Sequence, residues 1–235
     1  MNASARPTVL AIDTSTERLG VALLHGEACA FRHLQLGTGH ANQVLGLVEE
    51  LLQETGVMRA AVDAIAVCRG PGGFTGLRIA MGVAQGLALA LDRPVVPVSG
   101  LRVLAAAAEG PCSGSGPVLA VIDARMGEFY VAAWADAAAA QAGAAPLLRE
   151  CLLKPEALLA QPTLAGWAGQ CVGPGVVAMA LAGVALASGV EPVWPDARVL
   201  AVLGRQGLLA GEGVPAEAAQ PVYLRDQVAV PSVAR

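Results

Sequence analysis

At 235 residues, with a formal charge of −4 and a pI near 5.4, the chain is long enough for one large domain or two small ones and needs no staples to hold a core. A single lysine, Lys154, and dispersed arginines argue against a protein that grips nucleic acid by itself, which ordinarily shows a basic patch. Five cysteines (Cys29, Cys68, Cys112, Cys151 and Cys171) stand singly, odd in number and with no CxxC pair, which argues against a disulfide framework or zinc ribbon and for a reducing compartment.

The N-terminal run is too short for a signal peptide. TVLAID (8–13) reads as a buried strand, and GVALLHG (20–26) and ACAFRHLQL (28–36) continue it as an antiparallel meander joined by tight turns. HANQVLGLVEELLQETG (40–56) has apolar residues at helical spacing, with Gly56 where a C-terminal cap belongs. DAIAVCRG (63–70) is again a buried strand. It ends at GPGGFTG (70–76), after which LRIAMGVAQGLALAL (77–91) reads as a helix apolar almost all round. PVVPVSG (94–100) predicts a strand, and a further helix begins at Leu101. GPCSGSGP (110–117) reads as a linker.

LAVIDARMGEFYVAAW (119–134) then repeats the plan of LAIDTSTERLGVALL (10–24). An Asp ends an apolar strand, and Val-Ala follows eight residues later, Asp13 to Val21 and Asp123 to Val131. This spacing points to two related halves, taken as residues 1–108 and 109–235. DAAAAQAGAA (136–145) predicts a loop or hairpin insert. VVAMALAGVALASGV (176–190) is shorter than a membrane span needs and predicts a buried helix. PVYLRDQVA (221–229) follows a proline-marked turn, with a loose tail after it.

The glycine-rich loop fits neither common phosphate pattern. It has no Lys for a Walker loop, and Gly70, Gly72 and Gly76 are spaced one residue too long for a dinucleotide fingerprint. What remains is a tight strand-to-helix turn, with Thr75 placed to cap a helix beginning near Gly76. Asp13-Thr14-Ser15 is the kind of turn with which the actin, sugar-kinase and Hsp70 superfold approaches phosphate and magnesium. Its counterpart, Asp123 to Gly127, carries bulky Arg125 and Met126 where that fold has small residues, so any nucleotide site built from Asp13, Thr14, Ser15, Asp123 and Arg125 is a degenerate one. His25, His33 and His40 form no HxxxH or HExxH pair, and no GxSxG is present, so neither a helical metal site nor a nucleophile elbow is expected.

Taken in order, LAIDTST, HANQVL, RGPGGFTGLRI, AQGLALAL, IDARMGEFY and PVYLRDQVA resemble the bacterial TsaB (YeaZ) family, from residue 8 to about 229. The loop here reads GPGGFTG where that family more often has GPGSFTG. The resemblance implies an α/β, actin-like fold of two related lobes. It also implies a non-catalytic subunit of the cytoplasmic complex that places a threonylcarbamoyl group on the adenosine beside the anticodon, in tRNAs reading codons that begin with A. The expected partners are a larger catalytic paralogue of the TsaD type, an ATPase of the TsaE type, and tRNA only through the complex. Alone, the chain is expected as a homodimer, without a membrane, a metal or a cofactor of its own, ATP or ADP and Mg entering at the level of the complex. The alternative is a stand-alone ATPase or kinase of the same superfold, or a metal-independent peptidase.

Helix 77–91 carries Gly82, Gly86 and Ala90 on one stripe, which lets another helix come close. One reading is close packing on the domain's own sheet. The other, raised by the resemblance, is an interface with the paralogue formed with helix 40–55 through Val44, Leu47, Val48, Leu51, Met81, Gly82, Gln85, Gly86 and Leu89. The loop residues Gly70, Pro71, Gly72, Gly73, Phe74, Thr75, Gly76 and Arg78 then set up the start of a helix that a partner reads, with a phosphate role only in a shared site.

Overall fold

A computed structural model describes residues 6–108, 116–184 and 193–225. Two mixed sheets carry the architecture. The first is ordered β3-β2-β1-β4-β5, from β1 (Val9–Asp13), β2 (Arg18–His25), β3 (Ala28–Gln35), β4 (Ala64–Gly70) and β5 (Val95–Ser99). The second is ordered β8-β7-β6-β9, from β6 (Val118–Arg125), β7 (Glu128–Trp134), β8 (Leu148–Leu153) and β9 (Gln170–Val172). In each, a three-stranded antiparallel meander is followed by a strand that returns parallel to the first. The two-halves reading of the Asp13 and Asp123 hairpins is therefore matched over the first four strands, and β5 is an addition of the first sheet.

The alternation along β1 assigns its faces. Leu10 and Ile12 join a core under α1 (His40–Thr55) and α2 (Phe74–Leu91), while Val9 and Ala11 join a core that extends to the second sheet. α1 ends at Gly56 in the left-handed conformation, φ 67°, as its sequence predicts. α2 begins at Phe74 rather than Leu77. Its N-cap is Gly73, and no side chain caps it, so Thr75 lies inside the first turn and is not the cap. Among the described residues α2 is the one helix long and apolar enough to cross a membrane by length and composition. It packs along the sheet through Leu77, Ala80, Met81, Ala84 and Ala88.

One correction concerns the second half. Residues 136–145 are not a loop: α4 (Ala137–Ala142) is capped at its start by Asp136, which accepts the Ala139 N–H at 2.6 Å, and at its end by left-handed Gly143. The helix expected over 176–190 is described only as α6 (Val176–Leu181), and 185–190 lie outside the described residues. Residues 110–115 of the linker expected over 110–117 and the tail from 226 onward also lie outside them. α3 (Gly100–Ala106) and α5 (Pro155–Leu159) complete the described helices before α7.

No strand is shared between the two sheets, but they are tied together by α7 (Ala197–Leu209). This helix returns from the second half to cover β1, β2 and β4 of the first sheet. The sheet presents alanines to it, and a Cβ on Gly204 would fall 2.3 Å from the Ala66 Cβ; only a residue without a side chain allows that approach. Arg205 donates to the carbonyls of Gly26, at 2.7 Å, and Leu24. At the other end of α7 the Ala197 N–H donates to His33 Nε2 at 3.1 Å.

Candidate functional site

The glycines of the loop after β4 answer to the chain itself. An added Cβ on Gly76 would sit 1.9 Å from the Thr14 carbonyl oxygen, and one on Gly72 would sit 2.6 Å from that of Ser15. The loop is laced to the β1–β2 turn by the Gly73 N–H donating to the Ser15 carbonyl at 2.7 Å and by the Thr14 hydroxyl donating to the Gly76 carbonyl at 2.6 Å. Backbone lies against backbone, which is the close approach that glycine permits. Gly70, φ 103°, and buried Pro71 turn the chain out of β4.

The docked loop forms one wall of a cleft of about 790 Å³ between the two sheets. Thr14 and Ser15 lie on one side and Asp123 and Arg125 on the other, so four of the five residues expected in a degenerate nucleotide site meet across one opening, with the fifth, Asp13, behind Ser15. The two halves repeat at the level of single hydrogen bonds. Asp13 Oδ1 accepts the Ser15 N–H at 2.8 Å, and Asp123 Oδ1 accepts the Arg125 N–H at 2.7 Å. The surroundings differ. Asp13 is buried, 2 % exposed, and burial raises its pKa against the hydrogen bonds from Ser15. Its Oδ2 has no hydrogen-bond partner. Cys68 lies beside it, and burial followed by the Asp13 charge pushes that thiol well above its ordinary value. On the far side, Arg125 and Met126 adopt positive φ, 64° and 57°, and Arg125 reaches Glu17 across the opening at 3.5 Å.

Sequence reasoning missed several residues that line this cleft. Phe74, Tyr130, Trp194 and Tyr223 are there: one of the chain's three Phe, both Tyr and one of three Trp. The rings of Phe74 and Tyr223 lie 5.7 Å apart, and the Arg78 guanidinium sits 3.5 Å over Phe74. Arg225 donates to the Ala124 carbonyl at 3.1 Å and pairs with Glu128 at 2.5 Å, fixing the C-terminal segment to the β6–β7 turn. The Val222 N–H donates to the Arg69 carbonyl at 2.8 Å, and Arg69 pairs with Glu150 of β8 at 3.0 Å. The segment PVYLR was legible as a motif; nothing in its pattern placed it at the cleft. Among the described residues no group of three His, Cys, Asp or Glu is arranged to hold a metal ion.

On the outer face of α2 the expected partner residues divide. Val44, Leu47, Val48 and Leu51 of α1 and Met81 of α2 are buried in the chain's own core, a correction to their assignment as partner contacts: the apolar periodicity that marked them is the core face of each helix. Gln85 is half-buried and donates to the Ala219 carbonyl at 2.8 Å. Gly82, Gly86 and Ala90 face outward with Leu89, which is 77 % exposed. A Cβ on Gly82 or Gly86 would meet nothing within 4 Å, so this stripe does not serve packing on the domain's own sheet. Leu45 and Gly46 are exposed on neighbouring α1.

A family profile described as TsaD: tRNA N6-adenosine threonylcarbamoyltransferase matches residues 36–189. The tRNA threonylcarbamoyladenosine biosynthesis protein TsaB of Escherichia coli (strain K12) is 36% identical over 234 residues, covering 94% of this chain and 96% of that one. The protein of the same name from Haemophilus influenzae is 46% identical over 124 residues, 52% of each chain. A crystal structure of an uncharacterized Pseudomonas aeruginosa protein with similarity to peptidase YEAZ superposes with a TM-score of 0.80 at 41% identity, covering 93% of this chain and 100% of that one.

Proposed function

The chain belongs to the TsaB family of tRNA threonylcarbamoyladenosine biosynthesis proteins and has an actin-like fold, and from that premise we propose that it is the non-catalytic subunit that holds and activates a larger, TsaD-type paralogue. Its work is in the making of threonylcarbamoyladenosine on tRNA. In this reading an ATPase of the TsaE type and the tRNA join through the complex, in the cytoplasm. Without the paralogue, the same face pairs with a second copy of the chain.

The observation that carries the reading is the outer stripe of α2. Two glycines in the middle of an 18-residue helix, with open space where their side chains would be, cost the isolated chain roughly 1 kcal/mol each relative to alanine. Nothing inside the chain repays that, whereas a helix from a partner gains close backbone approach from it. Leu89 beside them adds apolar area that binding removes from water. The glycine-rich loop supports the same reading, since its glycines are spent on seating the start of α2 against the β1–β2 turn and not on a phosphate.

Reconstitution tests it. Threonylcarbamoyl transfer to tRNA, measured with purified paralogue and ATPase, is expected to require this chain. The Gly86→Leu variant, folded by circular dichroism, is expected to bind the paralogue roughly one to two decades more weakly, the equivalent of about 1–3 kcal/mol of overpacking. Full transfer without the chain, or unchanged affinity in the folded variant, overturns the proposal. Robust ATP turnover by the chain alone that vanishes in Asp13→Ala favours the enzyme reading instead.

A further inference from the structure

The two lobes are joined in different ways on their two sides. On one side the join is apolar. Leu104 of α3, Ala120 and Trp134 of the second sheet and Ala11 and Ala66 of the first belong to a single buried core. On the cleft side it is ionic. Arg69 of β4 pairs with Glu150 of β8 at 3.0 Å, Arg125 of β6 reaches Glu17 of the β1–β2 turn at 3.5 Å, and Arg225 pairs with Glu128 of β7 at 2.5 Å. Packed elements slide a little over one another while the opposite side separates, so a core facing a few ion pairs is built as a hinge facing a catch.

Residues 219–225 cross between the lobes on the ionic side. Ala219 is fully buried, and its carbonyl accepts Gln85 Nε2 of α2 at 2.8 Å. The Val222 N–H donates to the Arg69 carbonyl at 2.8 Å, and Tyr223 lies against Phe74. Arg225 then closes on the β6–β7 turn, donating to the carbonyls of Ala124 and Arg125 at 3.1 and 3.4 Å and to Glu128, with Met126 Sδ 3.4 Å from its Nη1. Arg125 and Met126 have positive φ, a conformation that side-chain-bearing residues keep only where their surroundings impose it. The segment 219–225 is neither helix nor strand. Among the described residues a single backbone–backbone hydrogen bond, that of Val222, ties 220–225 to the rest of the chain, and segments held by so few open at low free-energy cost.

We propose that residues 219–225 are a strap with an ionic catch at Arg225: docked, the strap holds the two lobes at one angle, and it lifts when Arg225 leaves Glu128, so that the cleft side separates about the apolar core. The catch lies at the second-lobe end. Gln85, Arg69 and Phe74 hold the strap to the first lobe at three points, whereas among the described residues every hydrogen bond from it to the second lobe comes from Arg225. The side chains of Arg225 and Glu128 are 18 % and 22 % exposed, so salt reaches the pair while screening it less than a surface pair. Arg125 and Glu17 are far more exposed and add little. This inference stands apart from the subunit reading: it concerns the chain alone, and its failure leaves the paralogue interface untouched.

The test is amide hydrogen exchange by mass spectrometry, with small-angle X-ray scattering, on the full chain. Arg225→Met keeps the apolar stem and removes the charge. Glu128→Gln weakens the catch from the second lobe without altering the strap. Arg149→Met, at an exposed arginine of β8, is the charge control. Both catch variants are expected to speed exchange at the Val222 amide, which the first lobe holds, by roughly tenfold or more, and to enlarge the maximum dimension of the particle. The double variant is expected to go no further than Arg225→Met alone, since both changes break one interaction. Arg225→Lys is expected to restore part of the protection, and Arg149→Met to move neither readout. In the parent chain, raising KCl from about 0.05 to about 1 M is expected to speed the same amide, an effect absent in Arg225→Met. Unchanged exchange at Val222 in both catch variants overturns the proposal. So does faster exchange with a scattering curve that superposes on that of the parent, which makes the segment a local surface feature. Should Arg225→Met fail to fold, Glu128→Gln and the salt dependence of the parent chain decide by the same readouts.

Discussion

Thr14 and Gly76 meet at the tightest backbone approach of the glycine-rich loop. The Thr14 hydroxyl donates to the Gly76 carbonyl at 2.6 Å, and a Cβ on Gly76 would fall 1.9 Å from the Thr14 carbonyl oxygen. A backbone oxygen at the end of a strand cannot rotate away as a flexible side chain can. Gly76→Ala is therefore expected to destabilise the chain by about 3 kcal/mol, the upper end of overpacking costs, read as a fall in the urea midpoint at unchanged slope. A midpoint equal to that of the parent chain contradicts the docking described above.

Gly73, three residues earlier, behaves in the opposite way. Its φ of −64° suits any residue, and an added Cβ meets only the Ser15 carbonyl oxygen, at 3.4 Å. It is the N-cap of α2 and offers no side-chain oxygen. Gly73→Ser supplies one to the first-turn N–H groups and is expected to raise stability by a few tenths of a kcal/mol, about what separates Ser from Gly at an N-cap. Paired chemical denaturation of the two chains resolves the sign.

The outward glycines of α2 separate folding from association. Gly86→Ala adds a methyl group to open space and removes the backbone entropy that glycine loses in a helix. The isolated monomer is expected to gain about 0.5–1 kcal/mol. The same substitution is expected to weaken self-association, seen by sedimentation, because the methyl occupies the space into which a second helix fits. A destabilised monomer places Gly86 in the core and counts against the surface reading.

His33 ties folding to pH. Its Nε2 accepts the Ala197 N–H that starts α7, with Arg18 2.6 Å from Nδ1 and the Asp196 carboxylate 3.7 Å from Nε2. Burial first, then Arg18, lowers its pKa below the ordinary 6.5, while Asp196 opposes the shift. The folded chain thus binds this proton less readily than the unfolded chain does. Its contribution is complete above pH 6.5 and declines as pH falls from there toward the depressed folded value, by at most about 1.4 kcal/mol per pH unit. Denaturation midpoints between pH 7.5 and 5 are expected to show this slope in the parent chain and a flatter one in His33→Gln. Parallel profiles refute it.

How much of this was legible in the sequence depended on how local the cause was. The β1–β2–β3 meander, α1 with its Gly56 cap, and the repeat of the Asp13 hairpin at Asp123 follow from periodicity and turn chemistry, which are properties of adjacent residues. The same periodicity misdirected the interface: Val44, Leu47, Val48 and Leu51 are apolar because they face the core, while the outward face of α2 is marked by what its glycines lack. The insert 136–145 was mistaken for a loop because alanines carry little pattern, although Asp136 and Gly143 are ordinary helix boundaries. The cleft was half visible. Thr14, Ser15, Asp123 and Arg125 sit in recognisable turns, whereas Tyr130, Trp194 and Tyr223 reach it through tertiary placement alone, and the glycine-rich loop gave no hint that its nearest neighbour is the carbonyl of Thr14.

The return of α7 orders events in time as the chain leaves the ribosome. β1 emerges with residues 9–13, and the helix that covers its inner face is residues 197–209. Until then the surface around Val9, Ala11, Ala22 and Ala66 has no lid, and sheet pairing alone must hold a chain whose closing contact is nearly the full sequence away. Synthesis interrupted near residue 108 leaves every strand of the first sheet made and one side of it bare, the kind of nascent species that chaperones retain and that aggregates without them.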